Sequence, residues 1–78
     1  MKYLMMYHNK KTGNICDIDT QQTIAGAREW LELREHLAKT LDFHPVLCND
    51  RLVINDDNEP IGEYYFVENS KCKKQKQT

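Results

Sequence analysis

No Cys-x-x-Cys pair, no glycine-rich loop and no apolar run of membrane-spanning length occurs in this sequence. Each absence excludes something. The three cysteines, Cys16, Cys48 and Cys72, are odd in number and widely spaced, which fits neither a disulfide framework nor a zinc ribbon. Free thiols in a reducing compartment follow. Cys16 and Cys48 sit in strand-like contexts and are expected in or near the core, while Cys72 falls in a polar tail and is expected to be exposed. The three glycines are scattered, Gly13 in a turn, Gly26 in a helical stretch and Gly62 in a strand-like one, so no phosphate loop can form. The opening MKYLMMYH carries a single lysine and a five-residue apolar run, too short for a signal peptide and with no small-residue cleavage site after it. The expected location is the cytoplasm, or a host cytoplasm.

Catalytic constellations are also missing. Cys48 with His44 or His8 would need an orienting third group and an oxyanion hole, and no glycine-rich element near either cysteine supplies one. His44-x3-Cys48 has tolerable ligand spacing, and with His8 and Cys16 it would make a four-ligand zinc set. That spacing matches no established zinc pattern, and scattered His and free Cys is the favoured reading. The carboxylate pairs Asp17/Asp19 and Asp56/Asp57 sit at element ends or in a loop tip, where capping and solvation account for them. The expectation is a non-enzyme without cofactor or metal.

What the chain does have is one strongly periodic stretch, Thr23 to Leu41. Wound at about 100° per residue, it gathers Ile24, Ala27, Trp30, Leu31, Leu33, Leu37, Ala38 and Leu41 on one half of a helix. Arg28, Glu29, Glu32, Glu35, His36 and Lys39 occupy the other half, with Glu35 and Lys39 in the favourable i, i+4 order. Asp19 and Gln22 have capping-box spacing, with Thr20 and Thr23 as competing N-caps. Pro45 bars helical angles at His44, so the helix should end by Asp42 or Phe43. Arg34 breaks the pattern in the middle of the apolar arc. Its stem can cover apolar surface while the guanidinium reaches the edge. Alternatively it is buried and paired with a strand carboxylate, Glu63 or Asp17, since an unpaired buried guanidinium would be too costly. In the third reading this face is open, and Arg34 beside Trp30 belongs to a binding surface.

The remaining segments read as strands and turns. Tyr3 to His8 and Ile15 to Ile18 form a hairpin around the Asn9–Asn14 turn, where Gly13 is the natural site for positive φ. Val46 to Cys48 is a short apolar run. Asn49-Asp50 fits a two-residue turn, although without the usual glycine. Leu52 to Ile54 and Ile61 to Val67 are strands about the Asp56–Pro60 loop, the last being the richest in β-branched and aromatic residues. The order β-β-α-(β)-β-β predicts a two-layer α+β domain with one helix on an antiparallel sheet of four or five strands. Its bounds are expected at residues 1–69, with residues 70–78 a disordered lysine-rich tail. In the last strand Tyr64 and Phe66 should face one way and Ile61, Glu63, Tyr65 and Val67 the other. With only one helix to cover the sheet, one of these faces would be left exposed.

The chain's net charge of −1 conceals an asymmetry: residues 1–69 hold seven Lys or Arg against twelve Asp or Glu, and residues 70–78 hold four lysines and no acid. An acidic body suits docking on a basic surface. The expected function is therefore a small protein-binding module, an inhibitor or adaptor of a larger and perhaps nucleic-acid-handling protein, in the style of phage or mobile-element accessory proteins. Homodimerisation is also open. Candidate contacts are Asp50, Asp56, Asp57 and Glu59 at one end of the second hairpin, the aromatics Tyr64 and Phe66, and Trp30 with Arg34. The alternative is a nucleic-acid-associated regulator using Lys71, Lys73, Lys74 and Lys76 on phosphates. Against it, a nucleic-acid-binding sheet should interleave Arg or Lys with its aromatics, and here Tyr64-Tyr65-Phe66 is flanked by Glu63 and Glu68.

Overall fold

The structure, a computed structural model, describes residues 2–69. In chain order the elements are β1 (Tyr3–Asn9), β2 (Ile15–Gln21), α1 (Ile24–Thr40), β3 (His44–Cys48), β4 (Arg51–Asp56) and β5 (Glu59–Glu68). One helix packs on a five-stranded sheet of order β2-β1-β5-β4-β3, and every neighbouring pair is antiparallel. The two-layer α+β expectation holds, and the short run after Pro45 is the fifth strand.

Tight turns make these pairings possible. In the first hairpin Gly13 has φ 81°, and the Asn9 side chain accepts backbone N–H bonds from Lys11 and Thr12. Asn49 and Asp50 do form the turn between β3 and β4, at φ 52° and 62°. Two consecutive positive φ values are the type I′ geometry that suits the twist of a hairpin, and Asn and Asp tolerate it better than most residues.

The helix begins with Thr23, whose hydroxyl accepts the Gly26 N–H at 2.9 Å. The Asp19/Gln22 capping box does not form. Strand β2 runs on to Gln21 rather than stopping at Ile18, so Asp19 and Thr20 belong to the sheet. The helix stops at Thr40, and Asp42 takes φ 67°.

Strand alternation sorts the side chains. Tyr3, Met5 and Tyr7 of β1, Tyr64 and Phe66 of β5, and Leu52 and Ile54 of β4 share the face under the helix. There they meet Ala27, Trp30, Leu31 and Ala38, while Met5, Leu31 and Leu52 are fully buried. Each such large side chain contributes roughly 1.5–3 kcal/mol by leaving water. A register shift beside Ile54 leaves Ile61 without a direct partner on β4, and Ile61 packs against the core. It therefore does not share the outer face with Glu63, Tyr65 and Val67, as strict alternation implied.

The buried helical stripe is narrower than the apolar arc. Ile24, Leu33, Leu37 and Leu41 are 40%, 65%, 48% and 60% exposed, because a single helix meets the flat sheet along one line. Cys16 and Cys48 are exposed, not core residues, since β2 and β3 are the two edges of the sheet. The expectations for Cys72 and for a tail at residues 70–78 lie outside the described residues.

Candidate functional site

Two surfaces gather the chemistry, one on each side of the sheet. The first is a cleft where the C-terminal half of α1 diverges from the sheet. Arg34, Leu37, Ala38 and Leu41 form its helical wall, Tyr7, Tyr64, Ile54 and Ile61 its sheet wall, and Phe43 closes one end. Its volume is about 150 Å³. Arg34 lies one turn from both Leu31 and Ala38 on the stripe facing the sheet, so the helix itself aims it inward. The guanidinium stacks 4.7 Å from the centre of the Trp30 ring and 5.7 Å from that of Tyr64, and these two rings meet edge to face at 5.6 Å.

Arg34 does not pair with Glu63 or Asp17. Asp17 is in register with Met6 and Glu63 with His8, which places both on the opposite face of the sheet. The carboxylate that feels Arg34 is Asp19, which accepts the Trp30 indole N–H at 2.8 Å. The Thr20 backbone N–H, the indole N–H and the Arg34 charge together hold Asp19 below its ordinary pKa. Among the described residues Arg34 makes no salt bridge or hydrogen bond; its contacts are the two ring faces and the field of Asp19.

Tyr7 lies on Tyr64 with ring centres 4.8 Å apart and crosses Gly62, where an added Cβ would come within 2.6 Å of the Tyr7 hydroxyl oxygen. Glycine at that position is thus required by the ring above it, the pairing in which an aromatic covers a strand glycine. Burial, then the neighbouring Tyr64 and Cys16, push the Tyr7 hydroxyl above its ordinary pKa of 10. It remains a proton donor at neutral pH.

The second surface is the sheet face opposite the helix, which no other element among the described residues covers. Leu4, Met6, Val53, Tyr65, Val67 and Val46 alternate onto it, and Val46 and Val67 are 56% and 41% exposed. In its middle sits Glu63, buried at 7% exposure. Its carboxylate accepts a hydrogen bond from Arg51, lies 3.3 Å from the Lys10 ammonium and 4.0 Å from His8 Nδ1. Arg51 in turn stacks on Tyr65 at 4.8 Å. Burial pushes Glu63 up, but the hydrogen bonds and charges of Arg51 and Lys10 outweigh it and leave the group below its ordinary value.

The remaining candidates are dispersed. Asp50 lies in the β3–β4 turn, where it pairs with Arg28 at 3.1 Å. Asp56, Asp57 and Glu59 lie at the β4–β5 turn. The six residues of β4 hold the two turns apart by roughly 20 Å, so the four acids do not form one end of the hairpin. Trp30 is buried, and Tyr64 and Phe66 are half-buried beneath the helix rather than free aromatics. His8 lies three strands and Cys16 four strands away from His44 and Cys48 across the sheet; no group of three or more His, Cys, Asp or Glu side chains converges among the described residues. Lys71, Lys73, Lys74 and Lys76 lie outside those residues. Among the described residues no helix is long and apolar enough to cross a membrane.

Sequence reasoning missed the Glu63 cluster. Its signal was an acid in an otherwise apolar alternation (Glu63, Tyr65, Val67), but the cations that hold it come from β4 and the β1–β2 turn, far away in sequence. Comparison of the chain with protein-family models, curated proteins and solved structures finds no match.

Proposed function

We propose that the chain is a non-enzymatic protein-binding module that docks on a larger protein through the uncovered face of its sheet, as an inhibitor or adaptor. The observation that carries this reading is the side of the sheet left without a second layer among the described residues, where Leu4, Met6, Val53, Tyr65 and Val67 surround a charged centre. An exposed apolar surface of this extent is the usual mark of an interaction site. Arg51 over Tyr65 adds two residue types enriched where interfaces concentrate their energy. The acidic body, with Asp56, Asp57 and Glu59 at one end of the sheet, favours a partner with a basic rim and steers its approach.

The test is position-specific capture. A photo-crosslinking residue is placed at Val46 on the uncovered face, or at Glu32 on the outer side of the helix, in cells that make the protein. A discrete adduct formed at position 46 and absent at position 32 is expected, and Val67→Glu should abolish it without moving the unfolding midpoint. Equal adducts at both positions, or an adduct only at 32, would refute the docking face. The nucleic-acid alternative is decided by affinity for duplex DNA at low and moderate salt, with and without residues 70–78. Tight binding that survives the deletion would overturn the present reading.

A further inference from the structure

The cleft beside α1 carries an inference independent of the docking face, since it lies on the other side of the sheet. We propose that it is a binding site for a small monocarboxylate with a single-ring-sized apolar body, such as an aromatic acid. Three observations fix that chemistry. The cleft volume is about 150 Å³, and an apolar cavity near 150 Å³ is the size that takes a benzene ring. Its walls are mostly aliphatic and aromatic, Leu37, Leu41, Ile54, Ile61 and Phe43 among them. That composition disfavours a bare inorganic anion, which would lose its hydration shell for little return.

The polar groups set the charge. Arg34 lines the cleft, and its guanidinium carbon lies over the Trp30 and Tyr64 rings, contacts that use no N–H donor in a hydrogen bond. Its in-plane N–H donors stay free to meet a carboxylate, two at a time. Among the described residues no acceptor bonds them, and Asp19, a carboxylate whose pKa Arg34 lowers, accepts from the Trp30 indole and the Thr20 N–H. The Tyr7 hydroxyl, protonated at neutral pH, is a further donor in the same wall and has no hydrogen-bond partner among the described residues. A neutral ring would fill the space and leave these donors unanswered. A carboxylate without a ring would answer them and leave the apolar walls wet. The two requirements meet in one ligand class.

The experiment uses the full chain and three probes of graded chemistry: benzoate, benzyl alcohol and acetate, each titrated while backbone amide resonances are followed. Benzoate is expected to bind saturably, with shifts centred on Leu37, Leu41, Phe43 and Ile61. Its affinity should exceed that of each other probe by about tenfold or more, the size of one charge-assisted hydrogen bond or one buried ring. In Arg34→Gln, benzoate should fall to the level of benzyl alcohol, whose own binding should not change. Benzoate no tighter than benzyl alcohol would remove the role of Arg34, and benzoate no tighter than acetate would remove the role of the apolar walls. Either result overturns the proposal, as do shifts centred elsewhere or binding that never saturates. If the Arg34 variant does not fold, the wild-type comparison of the three probes decides by itself.

Discussion

Glu63 keeps its charge on a sheet face that no described element covers because Arg51 and Lys10 crowd its carboxylate. Water is largely excluded from that oxygen pair, so protein donors must replace it, and removal of the charge should leave a mark on stability. The folded pKa of Glu63 is depressed below 4.5. A depressed acid stabilises the fold fully above its unfolded pKa, and the contribution disappears as the pH falls through the folded value. Glu63→Gln is therefore expected to lose about 1–2 kcal/mol at neutral pH, a range typical of a hydrogen bond to a charged group with one partly exposed partner. Urea unfolding of both proteins at pH 7 and again near pH 3 should show the gap closing as the wild-type carboxyl is protonated. Parallel stabilities at both pH values would show that the ion cluster contributes nothing. Arg34 meets the same problem differently: it spreads its charge over two aromatic faces and keeps its donor edge uncommitted.

Elements in this protein are delimited by backbone hydrogen-bonding needs more than by their apolar pattern. At the end of α1 the Phe43 N–H reaches the Ala38 carbonyl at 3.0 Å and the Asp42 N–H reaches the Lys39 carbonyl at 3.1 Å. That is the Schellman closure, with Asp42 at φ 67° in the position glycine usually fills. It also turns Phe43 back onto Ala38, which closes the end of the cleft. A side chain in the left-handed region is strained, and glycine is not. Asp42→Gly is thus expected to raise stability by about 0.5–1 kcal/mol, read as a higher denaturant midpoint at constant slope. A lower midpoint would mean that the Asp42 side chain supports the turn in a way its backbone does not require. The sheet edges are guarded by similar local devices. Edge strand β3 carries Pro45, and edge strand β2 carries a register irregularity opposite Met5 and Met6 together with Asp17 and Asp19. Prolines, bulges and charges on edges discourage strand-to-strand association.

At the scale of the whole molecule, one helix has to cover five strands, and it covers only one face. The core that results is thin, as a chain of this length implies. All of its buried side chains fall between Met5 and Ile54, and the residues packed against them end at Phe66. The last ladder contact described is the Asn69 N–H bond to the Lys2 carbonyl at 2.8 Å. A chain ending at Asn69 retains every one of these interactions. Its unfolding free energy is expected within about 0.5 kcal/mol of the full chain, the range for changes that leave such contacts intact. A loss beyond that range would place part of the folded domain in residues 70–78.

Local physics was legible without coordinates. The 3.6-residue repeat announced α1, Pro45 announced its end, and Gly13 and Asn49-Asp50 announced turns, because each depends on residues a few positions apart. The sequence also marked Arg34 as anomalous and both faces of the last strand as apolar. Only tertiary structure decided which face the helix takes, that Arg34 meets Trp30 and Tyr64 rather than a carboxylate, and that Glu63 is ringed by Lys10 and Arg51. It also separated Asp50 from Asp56, Asp57 and Glu59, and set Cys16 and Cys48 on outer edges. Those outcomes rest on strand order and on a one-residue shift of register, which depend on pairing across long stretches of chain. No window of sequence contains both partners of such a contact, so neither the cleft nor the open face could be assembled from the sequence alone.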